Sequence, residues 1–116
     1  MSDKLDRLVA TRVMGWKIIV QPDDCEGYPE IYNSGNAVCR WRPSHRIDDA
    51  MDVHEKLRLC ILAIQMPDGS DGWQVRRWIG SFDASSTNHK SLCMAICLAA
   101  LRTTDVTESE IQEAMR

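Results

Sequence analysis

The stretch Leu8-Val9-Ala10-Thr11-Arg12-Val13-Met14-Gly15-Trp16 decides how this chain is read. It is the end of an amphipathic helix, stopped by a glycine and followed at once by a tryptophan. Gly15 supplies the left-handed backbone favoured just after a helix, and Trp16 starts the next element. Backwards from there, helix one is predicted over Asp3 to Met14, with Ser2 as N-cap and Asp3 at the positive helix end. Leu5, Leu8, Val9 and Val13 share one face at helical spacing, while Lys4, Arg7 and Arg12 stay in water.

Forwards, Trp16 to Val20 reads as a strand rich in β-branched residues. Glu30-Ile31-Tyr32 and Ala37 to Trp41 flank Asn33-Ser34-Gly35-Asn36, a four-residue hairpin signal. Helix two is predicted from Pro43 to near Arg58, with Ser44 as N-cap and Ile47, Ala50, Met51, His54 and Leu57 on one face. Leu59 to Ile64 is an apolar run of strand length, and Asp68-Gly69-Ser70-Asp71-Gly72 is a turn. Trp73 to Phe82 follows as a long strand, and Asp83 to Lys90 is predicted as a polar loop. Helix three covers Leu92 to Thr103 behind the cap Ser91, and it is nearly free of charge, so it belongs deep in the core. Thr107-Glu108-Ser109-Glu110 matches a capping box, which opens a short last helix to about Met115. Helices, antiparallel hairpins and the order of elements define the α+β class: one sheet of two hairpins with packed helices.

The chain has 116 residues, enough for one domain over residues 1–116 with a real core. Hydrophobic residues make up 44% and charged residues 27%, the profile of a folded domain rather than a disordered one. No apolar run reaches membrane-spanning length, and Met1-Ser2-Asp3-Lys4 lacks a signal peptide's apolar core, so the expected location is the cytoplasm. The net charge of −3 excludes a polycation of the general nucleic-acid-coating kind. The five cysteines, Cys25, Cys39, Cys60, Cys93 and Cys97, form no CxxC pair, and the odd count points to reduced thiols.

Three segments resemble, in order, a family of small bacteriophage and prophage proteins, the phage ABA sandwich domain. They are Leu8 to Trp16 (LVATRVMGW), Trp41 to Leu57 (WRPSHRIDDAMDVHEKL) and Ala95 to Leu101 (AICLAAL). Together they cover about a third of the chain. The departures lie in the loops and at His54, where the family usually has an apolar residue. The resemblance implies an αβα sandwich and a phage origin. It brings no catalytic motif, so it assigns no functional residue.

The residues themselves offer few chemical candidates. Cys93 and Cys97 stand one helical turn apart, with His89 before them, but no fourth ligand completes a zinc site, and core packing explains both thiols. Cysteine catalysis would need a base from His45, His54 or His89. His54 lies on the apolar face of helix two and reads as a boundary residue. Asp48, Asp49 and Asp52 read as a solvated face. The strongest candidate surface is Arg40, Arg42, Arg46, Arg76 and Arg77, interleaved with Trp41 and Trp78. If the two hairpins are adjacent, guanidinium groups that grip phosphate and an indole that stacks on a base share one sheet edge. The same residue types dominate protein-binding hot spots, and arginines also simply solvate an outer sheet face.

The expectation is a small phage accessory protein without catalysis, cofactor or metal. It acts by binding a macromolecule, for instance a host protein of a defence system, and it does not engage membrane. A homo-oligomer is compatible with this reading. The alternative is a nucleotide or RNA binder using the arginine and tryptophan face, and a cysteine or histidine enzyme comes third.

Overall fold

The computed structural model describes residues 2–20, 30–33, 37–39, 41–79, 82–104 and 106–116. The first helix, α1 (Ser2–Leu8), does not stop at Leu8; it widens into a π-helical turn over Val9–Val13. The Met14 N–H reaches back to the Val9 carbonyl at 3.1 Å, five residues away. The Thr11 hydroxyl donates to the carbonyls of Arg7 and Leu8 at 3.0 and 3.3 Å, the back-bonding that bends a helix. Gly15 follows the C-cap with φ +73°, as its place in the sequence requires. Leu5, Val9, Ala10 and Val13 are buried.

Strands β1 (Lys17–Val20), β2 (Glu30–Asn33) and β3 (Ala37–Cys39) form an antiparallel sheet in that order, with Ile18 opposite Tyr32 and Asn33 opposite Ala37. Past β3 comes Trp41, buried, with its ring centroid 4.7 Å from that of Trp16 and its indole N–H donating to Asp52 Oδ2 at 3.1 Å.

Helix α2 (Ile47–Leu57) begins later than its sequence predicts. Ser44 is not the N-cap: residues 43–45 form a turn, and Arg46 takes the cap position without a side-chain hydrogen bond. The Ser44 hydroxyl, which would have to accept a helix N–H, lies instead 2.8 Å from His45 Nδ1, and its N–H donates to Asp6 on α1. The buried face is also rotated from the predicted one. Ala50 and Val53 are fully covered, whereas Ile47 is 48% exposed.

A second antiparallel sheet contains β4 (Cys60–Gln65), β5 (Asp71–Ile79) and β6 (Phe82–His89), in that order. β6 replaces the polar loop predicted over Asp83 to Lys90. Its sequence, FDASSTNH, has almost no strand propensity, and pairing with β5 overrides that. Val75 faces Thr87 across this pair, and the register slips between Arg77 and Trp78. Thr87 is buried and accepts a hydrogen bond from Arg102 at 3.1 Å, while Ser86 and Asn88 point to solvent. The predicted single sheet is thus two three-stranded sheets among the described residues, within the predicted α+β class.

Helix α3 (Leu92–Arg102) is the centre of the molecule. Ser91 caps it, accepting the Met94 N–H at 3.3 Å, and Ala95 through Leu101 are all buried. It packs on β5 and β6 and against α2, the π-helical turn and the last helix, α4 (Glu108–Ala114). The capping box of Thr107 and Glu110 opens α4, which also lies against α1.

Candidate functional site

The arginines singled out by sequence go to different places. Arg40 lies outside the described residues, as does the side chain of Trp78, whose backbone pairs with Asp83 in the second sheet. Arg42 is half-buried, with its Nε 3.7 Å from Asp6 Oδ2, and its backbone N–H donates to Asp49 Oδ2 at 2.8 Å. Arg46 is exposed and pairs with Asp48 at 3.3 Å and Asp49 at 3.8 Å. Neighbouring side chains of a strand leave opposite faces, and Arg76 and Arg77 do so. Arg76 donates to Gln74 Oε1 at 2.9 Å. Arg77 donates to the Thr103 carbonyl and hydroxyl at 3.0 and 3.1 Å, where it complements the negative end of α3.

Arg42 and Arg77 therefore meet different partners: Arg42 the carboxylates of Asp6 and Asp49, Arg77 the end of α3 at Thr103. Asp6 and Asp49, the partners of Arg42, act electrostatically on Cys93 in the first turn, whereas Thr103 follows the last turn. Cys93 and Thr103 stand ten positions apart along the axis of α3, about 15 Å at 1.5 Å per residue. The structure brings Arg42 and Arg46 together around acidic residues and does not join them to Arg77.

The node around Asp6 was invisible in the sequence. Asp6 is 2% exposed and accepts the Ser44 N–H at 2.9 Å. Burial pushes its carboxyl above the ordinary value, against the opposing pull of the Ser44 hydrogen bonds and Arg42. The Ser44 hydroxyl lies 2.8 Å from His45 Nδ1. Serine stands between carboxylate and imidazole here, so the carboxylate does not orient the imidazole as a base, and the node acts as a tie between α1 and the approach to α2.

Burial also raises the thiols of Cys93 and, more strongly, Cys97. It outweighs the lowering expected of Cys93 from the helix dipole, so both are protonated at neutral pH and poor nucleophiles. Among the described residues no three of His, Cys, Asp and Glu meet in a way that could hold a metal ion. His54 is half-buried, with its Nδ1 lacking a hydrogen-bond partner, at the end of α2.

A groove lies elsewhere, between α1 with its π-helical turn and α4. It encloses about 520 Å³. One wall carries Lys4, Arg7 and Thr11, spaced three and four apart so that they form a single stripe; Leu8 lies beside them. The other wall carries Glu110 and Glu113, with Ala114 at the floor. Arg12 bridges the two helices by donating to Glu110 at 2.9 Å. The sequence showed these polar residues as a wet helix face. What it could not show is that a helix about a hundred positions later lies alongside.

A buried central helix, antiparallel three-stranded sheets and flanking helices define an α+β sandwich with a groove between α1 and α4 on its surface. The chain belongs to the phage ABA sandwich domain family, whose model matches residues 7–101. The fold is similar to that of a phage protein from Bacillus cereus ATCC 14579 known from its crystal structure, with a TM-score of 0.61. The identity is 20%, over 89% of this chain and 87% of that one, so the likeness concerns the fold. No curated protein matches the chain. No helix among the described residues is long and apolar enough to cross a membrane.

Proposed function

We propose that this phage-family protein is an accessory protein that acts in the host cytoplasm without catalysis, by binding a host protein such as a component of a defence system. The observation that supports the reading is the α1–α4 groove. It combines an apolar floor at Leu8 and Ala114 with charged walls, the pattern of a protein-binding surface rather than of a catalytic pocket. The protonated thiols of Cys93 and Cys97 fit a non-catalytic role. The nucleotide or RNA reading is weaker, because Arg42 and Arg77, on which it leaned, are taken up by internal contacts.

The test is affinity capture from host lysate at low and raised salt, with both proteins and small molecules identified by mass spectrometry. A host protein retained in near-stoichiometric amount between roughly 50 and 200 mM salt supports the reading. Phosphate-borne binding loses several orders of magnitude over that range. Recovery of a nucleotide or nucleic acid in place of a protein overturns it.

A further inference from the structure

We infer that β4 is the seam of a homodimer: two copies of this chain pair their β4 strands edge to edge, antiparallel, about a two-fold axis at Leu62. The observation that carries it is an open strand edge. β4 ends the second sheet, and no strand among the described residues pairs with its outer side. The main-chain N–H and C=O groups on that side are matched by another strand, not by a side-chain surface. The usual protections of such an edge are missing. β4 reads CILAIQ, without a charge or a proline, and it pairs with β5 in unbroken register over six positions. Leu62 and Ala63 face opposite sides of the sheet and both are exposed, Leu62 to 43%. The other end of the same sheet differs: β6 is polar, and its register with β5 slips.

The strand's own sequence selects a second copy as the occupant. Antiparallel pairing about an axis normal to the sheet keeps each side chain on its own face, so the central position meets itself. With Leu62 at the centre, Leu62 faces Leu62, Cys60 faces Ile64 and Ile61 faces Ala63. Every pair is apolar, and no charge is covered. Charge flanks only the ends. Arg58 and Arg76 stand by Cys60, with Glu55 and Lys56 balancing each other at the end of α2. Asp68 and Asp71 stand by Gln65; Asp68 is held by Lys90 at 2.8 Å, and Asp71 keeps that end negative. Antiparallel pairing sets the positive end of one copy against the negative end of the other, whereas parallel pairing sets like against like. Six residues of edge bury less than the roughly 800 Å² per partner of a standard interface, so the dimer is reversible, dissociating at about 1–100 μM.

Sedimentation equilibrium of the purified chain tests this. The average mass should rise from one chain towards two between about 1 and 100 μM. Leu62→Lys puts two ammonium groups face to face at the axis and should weaken association at least about tenfold, with circular dichroism unchanged. Ser86→Lys, on β6, should leave association as it is. Should Leu62→Lys fail to fold, Leu62→Cys decides. Either kind of antiparallel pair holds its Cα atoms about 4.5–5.5 Å apart, within disulfide reach. Oxidation by diamide should therefore link Leu62→Cys into dimers several-fold more than wild type or Ala63→Cys. A chain that stays monomeric throughout overturns the inference. So does a dimer that Leu62→Lys leaves intact, or equal linking of the two cysteine variants, since either places the interface elsewhere. A host protein captured by wild type and lost with Leu62→Lys, without self-association, also overturns it and gives the edge to a foreign strand.

Discussion

Helix α3 and the α1–α4 pair lie against each other, yet they use their sequences in opposite ways. Every residue of α3 from Ala95 to Leu101 is buried, so that stretch has nothing left to meet a partner. α1 and α4 each give only one side to the interior: Leu5, Val9 and Ala10 from the first segment, Ile111 and Ala114 from the last. Their other sides build a groove that no single helix possesses. The lesson is a division of labour. The segment apolar all round specifies the fold, and the two amphipathic segments at the ends of the chain carry the surface by which it can act.

The comparison breaks first if α3 is not the centre. Ile96→Ala removes a fully buried side chain and should cost about 3–4 kcal/mol in urea unfolding, since a cavity in this position has little room to collapse. A loss below about 1 kcal/mol would move the core elsewhere.

Asp6 ties the two regions together, and its removal should come next in size. Asp6→Ala leaves the Ser44 N–H and the Arg42 guanidinium without their buried carboxylate, at a cost of about 3 kcal/mol. The pH dependence sharpens the point. Burial raises the Asp6 carboxyl above its ordinary 3.8, so the folded chain holds that proton more tightly than the unfolded one. Its contribution to stability is fully present below about pH 3.8 and is lost as pH rises through the raised value. In Asp6→Asn that titration is gone. The difference in unfolding free energy, wild type minus variant, should therefore fall as pH rises across this window; a rise would mean that Arg42 outweighs burial.

Gly15→Val probes the junction itself. A side chain built at Gly15 meets nothing within 4 Å, so the cost is that of a β-branched residue at φ +73°, about 1–3 kcal/mol. Gly15→Asn should recover most of it in the same melting experiment, which separates backbone strain from packing. The smallest effect belongs to the groove: Lys4→Glu should leave unfolding within about 0.5 kcal/mol, because an exposed lysine without an ion pair among the described residues stabilises little. A larger loss would make Lys4 part of the fold rather than of the surface.

What could be read from the sequence follows the same division. Ser91, the charge-free run behind it, the capping box at Thr107 and Glu110, and Gly15 all announce local physics, and the structure has each in its place. β6 was illegible because Ser85, Ser86, Thr87 and Asn88 become a strand only through β5. The start of α2 was misplaced because Ser44, a good cap by local rules, has its hydroxyl at His45 and its N–H at Asp6. The arginine surface failed as a unit for a related reason. Residue type says that arginine can grip an anion, but not that the anion is Asp6 or that the acceptor is the Thr103 carbonyl. The groove joins residues near both ends of the chain, and no local pattern encodes that adjacency.

The π-helical turn has a consequence for how this protein tolerates change in length. An α-helix turns about 100° per residue, and the widened turn over Val9–Val13 takes up a residue that α geometry would not hold. Deleting one residue there lets the turn close to α geometry and leaves everything before it facing nearly as it did relative to Gly15, whereas a deletion outside the turn, within Ser2–Leu8, would rotate what precedes it by about that angle. With the turn closed, Leu5 and Asp6 would still face the interior. The turn is therefore the one place in the first helical segment where a residue can be lost without changing which side looks inward, while its buried Val9, Ala10 and Val13 leave little freedom of residue type.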